Sequence, residues 1–263
     1  MSILTKARKL SLIASNPHIV TCTTKYLFIL SHMRSRSSVI AHVLGSNPGI
    51  CGYSELHSAY IDRLDLLDMR AQLYQDARCR LSNKYLLDKL LHNHCVISDE
   101  VLAMAQPKIV FLLREPDSTI KSIMNMGYRT GEAWYKDPFK VLQYYCSRLA
   151  TLEKYARRVG DGYFYLNADD LVNHTDAVLH RLSRWLDLDV PLDRHYTNFP
   201  NTGKRHYGDS SDNIKAGVIK KTEAHVDVKV PAHVLQMAET AYYRCRKQLI
   251  LGSRLGGWTK RTA

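Results

Sequence analysis

Short, almost purely apolar runs at residues 26–30, 84–87, 95–98, 108–113 and 163–166 alternate with segments whose apolar residues recur every three to four positions. A strand open to solvent on one side alternates polar with apolar side chains, whereas a strand covered on both faces is apolar throughout. Covered strands separated by helix-sized segments predict parallel strands joined by helical crossovers. The expected fold is α/β, with three layers and a central parallel sheet flanked by helices. The crossovers carry stripes of helical period, such as Val39, Ile40, Val43 and Leu44 after the first strand and Ile120, Ile123 and Met124 after Pro116. Residues 178–186 carry another stripe, and a terminal helix is expected over 231–250.

A chain of 263 residues suits one domain spanning 1–263, with residues 1–24 as an N-terminal extension. Residues 197–222, rich in Gly, Asn, Asp, Ser and Lys, are too long for an ordinary connection and read as a functional loop. With 37 Lys and Arg against 25 Asp and Glu, the net charge of +12 favours a polyanionic partner. The six cysteines show no C-x-x-C spacing and several lie in apolar runs, which predicts reduced core thiols rather than disulfides or metal ligands. No metal is expected. The basic N-terminus is followed by a short, interrupted apolar stretch, unlike a signal peptide or membrane span, so a soluble cytoplasmic protein without a transmembrane segment is expected.

Two strand-to-helix junctions concentrate the chemistry. In the first, "FILSHMRSRSS", an apolar strand runs into Arg34, Ser35, Arg36, Ser37 and Ser38 and then directly into a helix. Loop amides, the partial positive charge of the helix N-terminus, serine hydroxyls and the Arg34 fork would converge on a phosphate-like anion. The same residues also suit a simple helix cap with solvated arginines. The loop has no glycine and is not a Walker A sequence, which counts against Mg²⁺-dependent nucleotide hydrolysis. In the second junction, "KIVFLLREPDSTIKSIM", Arg114 ends a strand, Pro116 opens a helix, and Ser122 follows Arg114 by eight positions. An anion between Arg114 and Ser122 fits this spacing, as does an Arg114 paired with Glu115 or Asp117.

Together the two junctions resemble the sulfotransferases that use 3′-phosphoadenylyl sulfate (PAPS). "MRSRSS" is similar to that family's 5′-phosphosulfate loop, and "REPDSTIKS" to its R-x(7)-S motif for the 3′-phosphate. "YLNADDLVNHTDAVLHRLSRWLDLD" and "GKRHYGDSSDNIKAGVI" extend the likeness to about residues 26–219. Arg34 stands where small-molecule sulfotransferases carry Lys, as in the carbohydrate and tyrosylprotein branches, and Arg36 stands where glycine is usual. The resemblance implies a P-loop-like fold, PAPS as co-substrate and residues 197–222 as a loop covering it, with Lys204 and Arg205 near the 3′-phosphate. It implies Arg34 and Lys89 as cations on the transferred group, and Glu55 in "GICGYSELH" as general base, with His57 in reserve.

Sulfuryl transfer to a hydroxyl or amine needs an in-line nucleophile, a base and cations on the departing oxygens. The expected partners are a nucleotide donor and a small-molecule or glycan acceptor, a saccharide or glycolipid by branch resemblance. The alternatives are a P-loop-like nucleotide or small-molecule kinase, which needs Mg²⁺ and acidic residues to hold it, and a nucleic-acid binder, which +12 alone favours. No nucleic-acid-binding motif accompanies that charge, so nucleic acid is not expected as a partner.

Overall fold

A computed structural model describes residues 11–77, 80–204, 207–209, 211–221 and 228–253. The elements are α1 (His18–Thr21), β1 (Thr24–Leu30), α2 (Ser37–Gly45), β2 (Ile50–Cys51), α3 (Arg63–Ala77), β3 (Lys84–Leu90) and α4 (Asp99–Ala105). They continue with β4 (Lys108–Leu113), α5 (Pro116–Thr130), α6 (Pro138–Val159), β5 (Phe164–Asn167), α7 (Ala168–Asn173), α8 (Thr175–Leu186) and α9 (Ala232–Leu251). Five parallel strands form one sheet in the order β2-β3-β1-β4-β5.

Because successive strand side chains point to opposite faces, each strand feeds two cores. Phe28, Leu30, Leu86, Phe111 and Leu113 pack toward α6 and α9, with Leu149 and Tyr242 among their neighbours. Leu27, Ile29, Leu87, Val110 and Leu112 pack on the other face with Ile40, Leu44 and Leu182. Helices therefore cover both faces, as the apolar runs predict.

Two strand assignments differ from the sequence reading. Residues 95–98 make only a bridge between Ile97 and Tyr60, because Ser98 is already committed to capping α4 through Val101 N. The edge beside β3 belongs instead to β2, whose two residues are too short to stand out in a pattern. β3 also runs on to Leu90, so Lys89 lies within the strand rather than just past it. Among the described cysteines, Cys22, Cys95, Cys146 and Cys245 are free, but Cys51 is disulfide-bonded, which corrects the expectation of reduced thiols throughout. Cys51 ends an edge strand, the part of a sheet that another segment can reach.

The carboxyl ends of β1, β3 and β4 are fixed from one helix, α6. Tyr144 Oη accepts from Met33 N and donates to Leu91 O, both at 2.9 Å. Tyr145 Oη donates to Arg114 O at 2.8 Å. Arg148, fully buried, donates to Ser31 O (2.7 Å), to His92 O (3.2 Å) and to Leu90 O. Carbonyls at a sheet's end lack ladder partners, and buried ones need donors from elsewhere; α6 supplies them and so sets the relative positions of the three strand ends that carry the site.

Candidate active site

Leaving β1, the chain takes left-handed conformations at Arg34 (φ 58°) and Arg36 (φ 67°), without glycine at either. A left-handed residue followed by a helical one turns successive N–H groups into a concavity suited to an anion, here at Arg36 and Ser37. Such a conformation costs a residue with a Cβ about 1 kcal/mol or more. Arg36 has a compensating contact: its guanidinium donates to Ala168 O (2.8 Å) and pairs with the Asp169 carboxylate. Its side chain is thus engaged at the start of α7, and its backbone shapes the loop. Ser35 turns inward, 2.7 Å from Ser31 Oγ, while Ser37 and Ser38 line the cleft.

The two junctions meet as one cluster. Arg34 Nε donates to Ser122 Oγ (3.0 Å), and Arg114 Nη1 donates to Arg34 O (2.9 Å). The sequence spacing suggests Arg114 and Ser122 around one anion, whereas here Ser122 faces Arg34 and Arg114 supports the Arg34 backbone. Arg114 Nε is buried with no hydrogen-bond partner among the described residues. Burial first, then the neighbouring Arg36 and Arg34 charges, lowers the Arg114 pKa to about 10, with Asp169 opposing. His32, fully buried, closes the link: Nδ1–H donates to Met33 O (2.9 Å) and Nε2 accepts from Arg114 N (3.1 Å). Burial pushes its pKa down to about 4, so the imidazole is neutral at neutral pH.

At the end of β3, Lys89 Nζ lies 2.9 Å from Ser38 Oγ and 3.1 Å from Glu55 Oε1. The lysine side chain is 0% exposed and that of Glu55 10%. His57 is nearly half exposed, with Nδ1 3.8 Å from Glu55 Oε2. The structure therefore brings Ser38, Lys89, Glu55 and His57 into one chain of contacts.

The late loop lies against this chain. A Cβ on Gly208 would fall 2.7 Å from both Lys89 Nζ and Ser38 Oγ, so the backbone approaches as only glycine allows. Asp209 N donates to Ser38 Oγ at 2.9 Å, and its carboxylate pairs with Arg34 Nη1 at 3.1 Å. Burial alone would raise the Asp209 pKa, but the Arg34 charge and hydrogen bonds from Ser211 and Arg34 outweigh it and leave it lowered. Lys204 is exposed, bonds Asn201 Oδ1 (3.2 Å) and does not line the cleft; Arg205 lies outside the described residues. Of this loop's cations, Lys220 does line it.

Arg34, Ser38, Glu55, His57, Gly208 and Asp209 line a cleft of about 740 Å³, with Lys89 enclosed behind it; the wall also includes Arg114, Lys121 and Arg129 from β4–α5, and Met33 and Tyr135 at its apolar side. Its donors are arginines, the lysines Lys121 and Lys220, hydroxyls and a helix N-terminus, a set that fits phosphate or sulfate oxygens. Among the described residues no group of His, Cys, Asp and Glu could hold a metal ion, and no helix is long and apolar enough to cross a membrane.

The model of the sulfotransferase family matches residues 57–192, more than half of the chain. The chain belongs to the sulfotransferase family. Its fold is that of the sulfotransferase domain from the curacin biosynthetic pathway, at a TM-score of 0.56 and 18% identity over 84% of this chain and 98% of that one. The sulfotransferase domain of the Synechococcus PCC 7002 olefin synthase is similar at a TM-score of 0.53 and 19% identity, over 84% and 96% of the two chains. No curated protein sequence matches.

Family membership makes this a sulfotransferase and displaces the kinase alternative. Around the sulfotransferase's site, sequence reasoning missed three carboxylates: Asp209 in the cleft on Arg34, Asp169 on Arg36, and the buried Asp88 beneath the segment that carries Glu55. Only Asp88 left a trace in the pattern, as one of the two adjacent charges that end the apolar run of β3.

Proposed function

We propose that this sulfotransferase transfers the sulfuryl group of 3′-phosphoadenylyl sulfate to an acceptor hydroxyl by in-line displacement, with Glu55 as general base. The observation that carries the reading is the line of contacts from Ser122 through Arg34 to Asp209, and from Asp209 N through Ser38 and Lys89 to Glu55. Bound in the cleft, the donor supplies the sulfuryl group and a nucleotide bisphosphate leaving group. Ser122 and Arg114 hold the 3′-phosphate end, and Arg34 with the amides and hydroxyls of Ser37 and Ser38 holds the 5′-phosphosulfate end. Lys89 neutralises charge on the transferred and departing oxygens, where a fixed cation in a water-poor site is most effective. Glu55 takes the proton from the acceptor hydroxyl, and His57, half-exposed beside it, is the second candidate.

The cleft beyond Glu55 favours an acceptor with an apolar body. Met33, Leu91, Met126 and Tyr135 line it beside His57 and Arg129. A glycolipid or a saccharide stacked on the aromatic side suits this combination.

Two measurements test the reading. Adenosine 3′,5′-bisphosphate at about 100 times its dissociation constant should stabilise the protein by about 2.7 kcal/mol in thermal unfolding. Stabilisation by ATP with Mg²⁺ and none by the bisphosphate overturns it. Glu55→Gln should lower turnover by about 10²–10⁴ while bisphosphate binding is kept, and near-full turnover removes Glu55 as the base.

A further inference from the structure

We propose that Asp88 is the positioning residue that locks the Glu55 segment onto the strand bearing Lys89; this rests on the reading of Glu55 as the base. Neighbouring residues of a strand face opposite ways. Lys89 shares the face of Tyr85 and Leu87, while Asp88 shares that of Leu86 and Leu90, so the lysine reaches Ser38 and the aspartate reaches the segment crossing the strand's end. Asp88 Oδ1 accepts from Leu56 N at 3.0 Å and from Lys89 N at 2.7 Å. Asp88 Oδ2 accepts from Tyr60 Oη at 2.7 Å. One carboxylate therefore holds the residue after the base, the backbone of the catalytic lysine and the end of the connecting segment.

The segment has a second anchor. At Gly52 (φ 117°) a Cβ would fall 2.3 Å from Leu87 O, so the chain is pressed onto β3 before it reaches Glu55. Between Gly52 and Tyr60, Glu55 has no regular secondary structure to fix it, and its carboxylate must meet Lys89 Nζ across a strand end. Asp88 is 1% exposed and its three donors are neutral. Burying a carboxylate among neutral donors is costly, and an apolar residue would leave those donors without an acceptor. Burial raises the Asp88 pKa to about 6. The arrangement is explained by what it aligns.

The test compares Asp88→Ala, Asp88→Asn, Tyr60→Phe and Glu55→Gln in the full chain, reading kcat, the KM for each substrate, thermal unfolding and calorimetric affinity for adenosine 3′,5′-bisphosphate. Asp88→Ala should lose about 10²-fold in kcat, the scale of a misplacement of about 1 Å, with bisphosphate affinity within about twofold of wild type. Asp88→Asn should recover most of that loss, since its Oδ1 can accept both amides and its Nδ2 can donate to Tyr60 Oη. Tyr60→Phe, which removes one of the three bonds, should lose about threefold. A folded Asp88→Ala with wild-type kcat, or an Asp88→Asn as impaired as Asp88→Ala, overturns the assignment. Should Asp88→Ala not fold, Tyr60→Phe decides: a fall in kcat at unchanged bisphosphate affinity supports it, and unchanged kcat overturns it. Near-full turnover of Glu55→Gln removes the base reading itself, whereas loss in Glu55→Gln with Asp88→Ala intact removes only the role of Asp88.

Discussion

The junctions after β1 and β4 look alike in sequence, each an apolar strand followed by an arginine and a serine-bearing helix, yet the fold gives their arginines different tasks. Arg34 lies in the cleft with its fork divided between Ser122 and Asp209. Arg114 turns onto the carbonyl of Arg34, its Nε enclosed and its pKa lowered by burial and by the charges of Arg36 and Arg34. β1 occupies the middle of the sheet with β4 beside it, so the second arginine lies behind the first. A local motif thus specifies a cation at a strand end, and position within the sheet decides whether its guanidinium bonds side chains across the cleft or its neighbour's backbone.

The strongest way to break this contrast is to remove each arginine in turn. Arg34→Ala should lower kcat/KM by about 10³ with little change in thermal stability, because it deletes a charge facing the transferred group. Arg114→Met should instead destabilise the fold by about 1–3 kcal/mol, since Arg34 O loses its donor, and should weaken bisphosphate binding more modestly. An Arg114→Met protein with unchanged unfolding and the catalytic defect of Arg34→Ala would make the two residues equivalent and end the distinction.

His32 offers a sharper probe, since it ties the two junctions together only while neutral. Burial chiefly, with the Arg114 and Arg148 charges, holds its pKa at about 4, against about 6.5 for a free imidazole. The unfolded chain therefore takes up a proton that the folded one refuses, and stability present above pH 6.5 is lost as pH falls toward 4. The loss is on the order of 3 kcal/mol and should be absent in His32→Asn, measured by denaturant unfolding across that window. Asp88, raised to about 6 by burial, titrates in the opposite sense, so the difference between wild type and variant is the informative quantity. A difference that does not vary with pH would remove His32 as the link.

The smallest effect belongs to Asp209, which competes for the Arg34 fork. Asp209→Asn should tighten adenosine 3′,5′-bisphosphate binding by about two- to fivefold, read by calorimetry. Weaker binding would mean that the carboxylate orients Arg34 for the ligand.

Much of this arrangement is legible in sequence because strands covered on both faces announce themselves as apolar runs. The eight-residue step from Arg114 to Ser122 is likewise visible, since both residues belong to one strand-and-helix unit. What escapes is pairing across the chain. Arg34 meets Ser122 at a separation of 88 residues and Asp209 at 175, and no local period encodes such contacts. β3 shows the limit most plainly: its apolar run stops at Leu87 because Asp88 and Lys89 interrupt it, although both are buried strand residues. Their partners, Leu56, Tyr60, Ser38 and Glu55, come from elsewhere, so hydrophobicity marks a strand end where the hydrogen bonds continue.

Arg36 carries a consequence for how fast the cleft can be filled. A glycine there would leave the loop free to sample many conformations, and each encounter would require a search for the competent one. With Arg36 left-handed and clasped by Asp169, that search is over when folding ends. Association should then depend on diffusion and on the pull of the +12 chain on a polyanion, and slow steeply as added salt screens that pull.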